Sequence, residues 1–115
     1  MLDEQKLMDC ITAIKKLQEA IQTLSEEQAE RELIINNIKY KETEQIEGKN
    51  KEMREAKLLI ALTDNDDFME HSRKVSELKK TIAQKKIDLN FATNKFSVEK
   101  IMSRYMLINV LSREV

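Results

Sequence analysis

The chain has 115 residues, with one Gly, no Pro and no Trp. Charged residues make up 36% and apolar residues 41%, yet the formal net charge is only -1. This composition is typical of long helices and coiled coils and argues against a disordered chain. The acidic start MLDEQKLMDC is unlike a signal peptide, and the longest apolar run, Leu58 to Leu62, is far shorter than the roughly 20 residues of a membrane span. We therefore expect a cytoplasmic protein.

Apolar heptads predict a first helical arm over residues 2–62. Its seam holds two sets of residues, Cys10, Leu17, Leu24 and Ile38 at one heptad position and Ile14, Ile21 and Ile35 at the other. Gln28 and Arg31 interrupt this seam. From Ile46 onward the heptad is one step out of phase, which predicts altered supercoiling within one helix. A polar patch at Ser25 and the lone Gly48 are interpreted as tolerated within that helix, with a break at either place as the alternative.

A turn is predicted at residues 63–66, where small polar residues can cap a helix and Asp66 and Asp67 would lie in its first turn. A second arm over 67–112 follows. Its seam is interrupted only by Lys85 and otherwise consists of Val75, Leu78, Ile82, Leu89, Ala92 and Phe96. Residues 90–97 are poor in strong helix formers, so a break there remains an alternative.

The fold class predicted from these elements is all-α, a long antiparallel helical hairpin (coiled coil) forming one domain over residues 1–115. Counted from the turn, residues 101–111 are expected to face residues 15–25, and residues 1–14 to project beyond the second arm. From Val98 onward the second arm is apolar on nearly every side, which requires burial on more than one side. We therefore expect a homodimer or higher oligomer, joined as a four-helix bundle at the open end. Its interface is predicted to hold Leu7, Met8, Ile11, Ile14, Ile101, Met102, Tyr105, Met106, Ile108 and Leu111.

Residues for catalysis are scarce. The chain has one Cys and one His, and it lacks a Gly-rich phosphate loop. Cys10 lies on the seam and is interpreted as a small buried hydrophobe, with a disulfide between subunits as the alternative. His71 is interpreted as an edge-packing residue near the turn, with a pH switch or a metal ligand as the alternative. The acidic residues 64–70 lack the glycine of a calcium loop and are interpreted as helix-capping residues. We expect no enzyme activity, no cofactor and no metal.

Charge is unevenly distributed. Residues 1–48 hold 11 acidic and 6 basic residues, whereas residues 73–104 hold 9 basic and 3 acidic residues. Attraction between the two arms across the hairpin is the favoured interpretation. The alternative is a surface for nucleic acid or for an acidic partner. That surface would use the basic doublets Arg73, Lys74, Lys79, Lys80, Lys85 and Lys86.

The central stretch IEGKNKEMREAKLLIALTDNDDFMEH carries Gly48-Lys49-Asn50, then Arg54-Glu55-Ala56, then the acidic turn at residues 64–67. This pattern, about a quarter of the chain, resembles small uncharacterised helical proteins encoded in the early regions of phages and prophages. Some proteins of that kind lie beside recombination genes, and others inhibit host defence. The resemblance implies a phage context and transfers no catalytic residue.

Two functions remain in competition. The first is a non-enzymatic protein–protein interaction module, in its concrete form a phage-encoded antagonist of a host protein complex. Its partners would be a second copy of the chain and another protein. The alternative is a nucleic-acid-binding accessory factor of phage recombination or replication that uses the basic second helix.

Overall fold

The computed structural model describes residues 4–114, without the side chain of Glu114. These residues form three helices, α1 (Glu4–Glu44), α2 (Lys51–Thr63) and α3 (Asp66–Glu114), and no strand occurs among them. The predicted all-α helical hairpin is confirmed. The chain divides into two compact units. Unit 1 comprises Met1–Thr23 with Ile82–Val115, and unit 2 comprises Leu24–Thr81.

The apolar seam of α1 is confirmed by burial. Residues at alternating spacings of three and four are buried or half-buried along the helix, and they include both polar interruptions. These residues are Leu7, Cys10, Ile14, Leu17, Ile21, Leu24, Gln28, Arg31, Ile35, Ile38 and Glu42. The helix passes through Ser25 without a break, as predicted. A stripe with this spacing follows one face of a helix, which is why α1 buries one side and leaves the other in water.

The seam of α3 has the same spacing and is also confirmed. We call it the inner stripe of α3, and it consists of Phe68, His71, Val75, Leu78, Ile82, Lys85, Leu89, Ala92, Phe96, Glu99 and Ser103. All these residues are buried or half-buried. The stretch 90–97 is helical throughout, so the alternative of a break near Asn94 is wrong.

The predicted continuous first arm is wrong near Gly48. Helix α1 ends at Glu44, and α2 starts at Lys51, where the Asn50 side chain accepts a hydrogen bond from the Met53 amide at 2.8 Å. A Cβ at Gly48 would lie 2.9 Å from Cγ of Arg54, so this position fits a residue without a side chain. The change of heptad phase after Ile46 therefore marks a helix end rather than altered supercoiling.

The reversal between α2 and α3 occurs close to the predicted turn. Asp64 is the C-cap of α2, and the Asn65 side chain accepts a hydrogen bond from the Phe68 amide at 2.9 Å, which makes Asn65 the N-cap of α3. Asp66 and Asp67 occupy the first turn of α3, as predicted. Carboxylates are favourable there because the helix dipole is positive at that end.

In unit 2, α3 pairs antiparallel with α1. The Asn65 amide donates to Glu42 at 3.3 Å, and the Lys39 ammonium lies 5.9 Å from the centre of the Phe68 ring. The whole segment 45–65, including α2, is thus the connection between the two paired helices. The pairing partner of α3 is a helix ending at residue 44, and not the predicted arm ending at residue 62.

A polar contact crosses the seam of unit 2 at Arg31, which is one of the predicted interruptions. The Arg31 guanidinium lies 3.1 Å from Nδ1 of His71 and 3.4 Å from the Glu27 carboxylate. A guanidinium can only donate, so Nδ1 of His71 is the acceptor in this contact. His71 is therefore half-buried on the seam, where it contacts Arg31.

The N-cap of α3 provides a test of the reversal. We expect Asn65→Ala to lower the free energy of unfolding by about 1 kcal/mol, because the Phe68 amide and the Glu42 carboxylate both lose a partner. Urea unfolding followed by circular dichroism measures the change. Asn90→Ala, at an exposed position inside α3, is the matched control and should not destabilise the chain. Equal stability of the Asn65 variant and the wild type would contradict the capping role.

Candidate interaction surface on α3

In unit 1, α1 and α3 pair with a different alignment from the predicted one. A cavity between them is lined by Asp9, Cys10 and Ala13 from α1 and by residues of α3 that include Ala92 and Lys95. The prediction that residues 1–14 project beyond the second arm, and that residues 101–111 face residues 15–25, is therefore wrong. The physical reason is that α1 ends at Glu44, whereas the predicted arm ends at residue 62. Each residue of α3 therefore faces a residue of α1 that is nearer to the N-terminus than predicted.

The C-terminal end of α3 runs past the described start of α1. Lys6 and Glu99 line the same cavity, α1 is described from Glu4, and α3 continues to Glu114. Many large apolar side chains are exposed in this part of α3. They are Val98, Ile101, Met102, Tyr105, Met106, Leu107, Ile108, Val110 and Leu111. We call residues 98–111 the apolar end of α3.

The predicted interface residues from the two ends of the chain differ in their surroundings. All six from α3 are exposed and belong to the apolar end. Of the four from α1, Met8 and Ile11 are exposed, whereas Leu7 and Ile14 are half-buried on the seam. The two seam residues already pack within the hairpin, so α1 offers less apolar surface to a partner than the sequence analysis expected.

The predicted basic surface is partly neutralised. Arg73 forms ion pairs with Glu70 and Glu77, one turn away on either side of it in α3. Lys79 lies 3.9 Å from Glu32 of α1, in an ion pair that crosses the hairpin. Of the other predicted basic residues, Lys80 and Lys86 are exposed, and Lys74 and Lys85 are half-buried. The doublets thus form no continuous stripe of exposed positive charge.

Protonation equilibria are shifted around Arg73. A hydrogen bond from the Arg73 guanidinium lowers the pKa of the Glu70 carboxyl below 4.5, and the same hydrogen bond raises the pKa of Arg73. Both side chains are about half exposed to solvent, so this pair stabilises the helix only modestly.

The two residues considered for metal or redox chemistry lie in different units. Cys10 is buried in unit 1, where it is a free thiol, which agrees with its interpretation as a small buried hydrophobe. His71 lies in unit 2 beside Arg31. Within residues 4–114, no group of three His, Cys, Asp or Glu side chains could hold a metal ion.

Two exposed apolar residues of α3 were not predicted from the sequence. Ile87 and Phe91 of α3 are 61% and 73% exposed, although they lie well before the predicted apolar end. Their spacing of four residues, continued by Val98 and Ile101, is a heptad signal present in the sequence. This heptad signal can be recognised once the residues of α3 that face α1 are known.

No described helix is long and apolar enough to cross a membrane. Comparisons with known proteins found no match to a family model, to a curated protein or to a solved structure.

The Arg73 ion pairs can be tested by titration. We expect Arg73→Gln to raise the pKa of Glu70 toward 4.5, because the positive charge and the hydrogen bond are both removed. A carboxyl whose pKa is lowered by folding stabilises the fold above its unfolded pKa and loses that contribution as pH falls through the folded pKa. In the wild type the contribution of Glu70 should therefore begin to fall near pH 4.5 and disappear once the pH is below the lowered pKa, whereas in the variant it should be small at all pH values.

Carbon-detected NMR of the Glu70 carboxyl measures this midpoint in the wild type and in the variant. A Glu70 midpoint that is the same in both proteins would contradict the role of Arg73.

Proposed function

We propose that this chain is a non-enzymatic protein–protein interaction module whose binding surface is the apolar end of α3. The observation that carries the proposal is the exposure of large apolar side chains on several sides of one helix. Contiguous apolar patches larger than a few hundred Å² are rare on monomeric proteins and mark interaction sites. The partner is a protein, because a protein surface can cover such side chains and release water from them.

The residue types of the apolar end agree with this role. Tyr105 combines a large apolar ring with a hydroxyl, and aromatic residues are enriched where one side chain must be both buried and hydrogen-bonded. Met102 and Met106 are flexible and polarisable, and such side chains adapt to the shape of a partner. The phage context implied by the central stretch gives the concrete form of the proposal, an antagonist that occupies a surface of a host protein complex in the cytoplasm.

Nucleic-acid binding through α3 is the less favoured function. Phosphate contacts require Lys and Arg side chains that are free to release counterions. Arg73 is occupied by Glu70 and Glu77, and Lys79 has Glu32 as a neighbour. The basic doublets are therefore better explained by ion pairs within the hairpin than by a phosphate-binding stripe.

Site-specific photocrosslinking tests the protein-binding function. The photoreactive residue p-benzoylphenylalanine replaces Leu107 in the apolar end, and Lys16, an exposed residue of α1, in the control variant. After irradiation of bacterial cells that express each variant, we expect a discrete protein adduct from position 107. An excess of the chain without the photoreactive residue should reduce the yield of this adduct, because it occupies the same partner. Mass spectrometry then shows whether the adduct contains this chain or another protein.

Two outcomes would contradict the proposal. One is the absence of any protein adduct from position 107. The other is an equal yield of adduct from position 16 and position 107. Equal yields would show that the adducts arise from random collisions and not from binding to the apolar end. An adduct that contains nucleic acid would favour the alternative function.

Fluorescence anisotropy with a labelled DNA duplex and an RNA of the same length tests that alternative. We expect no more than weak non-specific binding at physiological salt, and no change in it when Lys79 and Lys80 are both replaced by Glu. Tight binding that weakens steeply with salt and is lost in the double variant would show that the basic helix binds phosphate. Circular dichroism of the variant confirms that the helices are retained.

A further inference from the structure

Helix α3 carries a second apolar stripe on the side opposite to its inner stripe. At 100° per residue, a residue placed midway between two inner positions four residues apart points away from both of them. Ile87 is midway between Lys85 and Leu89, and Ile101 is midway between Glu99 and Ser103. Asn94 has the same placement, and further exposed residues lie within about 40° of these positions around the helix. Together they form the outer stripe of α3, which from residue 87 onward consists of Ile87, Phe91, Asn94, Val98, Ile101, Tyr105 and Ile108.

The spacing of the outer stripe alternates strictly between four and three residues from Ile87 to Ile108. This is the a/d repeat of a coiled coil, in which each position packs into a gap between side chains of a second helix. Six of its seven members are large and apolar, and each of the six is at least 58% exposed. Asn94 is the single polar member, and one polar residue within such a seam commonly specifies register and partner number.

Two other segments of the hairpin have a polar outer face, whereas Leu33 and Tyr40 are exposed on α1 in unit 2. In unit 1, the corresponding side of α1 carries only polar and charged residues, namely Asp9, Thr12, Lys16, Glu19 and Thr23. The earlier part of the same stripe on α3, within residues 70–84, is also polar throughout. Its members are Glu70, Arg73, Glu77, Lys80 and Gln84. Apolar residues thus occupy the outer face of α3 only from residue 87 onward.

We propose that the outer stripe of α3 is a coiled-coil seam for a second copy of this chain, with the two α3 helices antiparallel about a two-fold axis at residues 99–100. This inference deepens the proposed function, on which it rests, because it names the partner and the residues of contact. It also differs from the four-helix bundle predicted from sequence, since an outer stripe opposite to the inner one places the second α3 on the side away from α1.

The outer stripe from Phe91 to Ile108 is complementary to itself in this register, and Ile87 lies beside Ser112 of the second copy. Around the axis, Val98 meets Ile101 of the second copy, and further out Phe91 meets Ile108. The polar member Asn94 meets Tyr105 of the second copy, so the amide and the phenol hydroxyl can hydrogen-bond to each other inside the seam. A buried Tyr hydroxyl needs such a partner, and an Asn side chain offers both donors and an acceptor.

Charges beside the stripe favour the same register over its neighbours. In the proposed register Lys95 flanks Met102 of the second copy, and Arg104 flanks Ser97, so no like charges meet. A shift by one heptad in one direction places Lys95 beside Lys95, and a shift in the other direction places Arg104 beside Arg104. Like charges facing each other across an interface are unfavourable, which selects the register centred on residues 99–100.

The buried area is sufficient for a dimer. Four aliphatic and two aromatic side chains that are more than half exposed remove on the order of 500 Å² of apolar surface per chain, about 1,000 Å² for the pair. A specific interface needs roughly 1,000 Å². Met102 and Leu111, which flank the stripe, add to this area.

Sedimentation equilibrium of the full chain tests self-association. We expect a mass of twice 13.5 kDa at tens of micromolar. Ile101→Asp should weaken the dimer at least about tenfold, because a charge is placed beside Val98 of the other copy on both sides of the axis. Ile60→Asp is the matched control, since Ile60 of α2 is 63% exposed and Ile101 is 64% exposed. The control should keep the mass of the wild type.

Disulfide trapping in a Cys10→Ser background tests the register. Val98→Cys chains and Ile101→Cys chains are oxidised separately and as an equimolar mixture. The antiparallel register brings residue 98 of one copy to residue 101 of the other, so only the mixture should give an abundant crosslinked dimer. This result does not depend on whether the Asp variant folds.

Any different outcome of the sedimentation and disulfide experiments overturns part or all of the inference. A monomer at every concentration, or a dimer disrupted by Ile60→Asp and not by Ile101→Asp, overturns the seam. Crosslinking of each Cys variant with itself indicates parallel helices and overturns the register. A monomer whose position 107 still crosslinks to a different protein overturns self-association while leaving the proposed function in place.

Discussion

The register with which α3 packs against α1 is the constraint on which the remaining structure depends. Asn65 sets it in unit 2, because its side chain caps α3 and at the same time donates to Glu42 near the end of α1. The end of α1 at Glu44 determines which residues of α1 face which residues of α3. Once α3 is aligned in this way, Ala13 and Ala92 line one cavity, and the last turns of α3 extend past the described start of α1.

Much of this architecture could be predicted from the sequence because heptad spacing is a strong signal over long helices. The seams of α1 and α3, the reversal near Asn65 and the continuity of the helices at Ser25 and Asn94 all agree with the structure. The end of α1 was missed for a local reason. Glycine at one position costs only about 1 kcal/mol in a helix, so Gly48 alone does not predict a break. The stronger signal was Gly48 followed by Asn50, a residue that caps a helix, at the place where the heptad changes phase.

Only part of the candidate surface could be predicted from the sequence, and the reason differs from that for the end of α1. Apolarity on every side of residues 98–111 is visible in composition, and the exposed members of that segment agree with it. Ile87 and Phe91 were not recognised, because an apolar residue at heptad spacing can belong to either of two stripes on one helix. Burial decides between them: Leu89 and Ala92 are half-buried, whereas Phe91 between them is 73% exposed.

Burial also shows why folding and association should be linked in this chain. Among the described residues, only five apolar side chains count as buried, and none of the large side chains is fully buried. Two packed helices can shield one stripe each, and the polar contact between Arg31 and His71 interrupts even that seam. A second copy on the outer stripe of α3 would bind only the folded helix, because the stripe exists only when residues 87–108 are helical. Binding to the folded state alone stabilises that state by mass action. The apolar residues of the outer stripe would then stabilise the same helix on which they lie, through the contacts they make with the second copy.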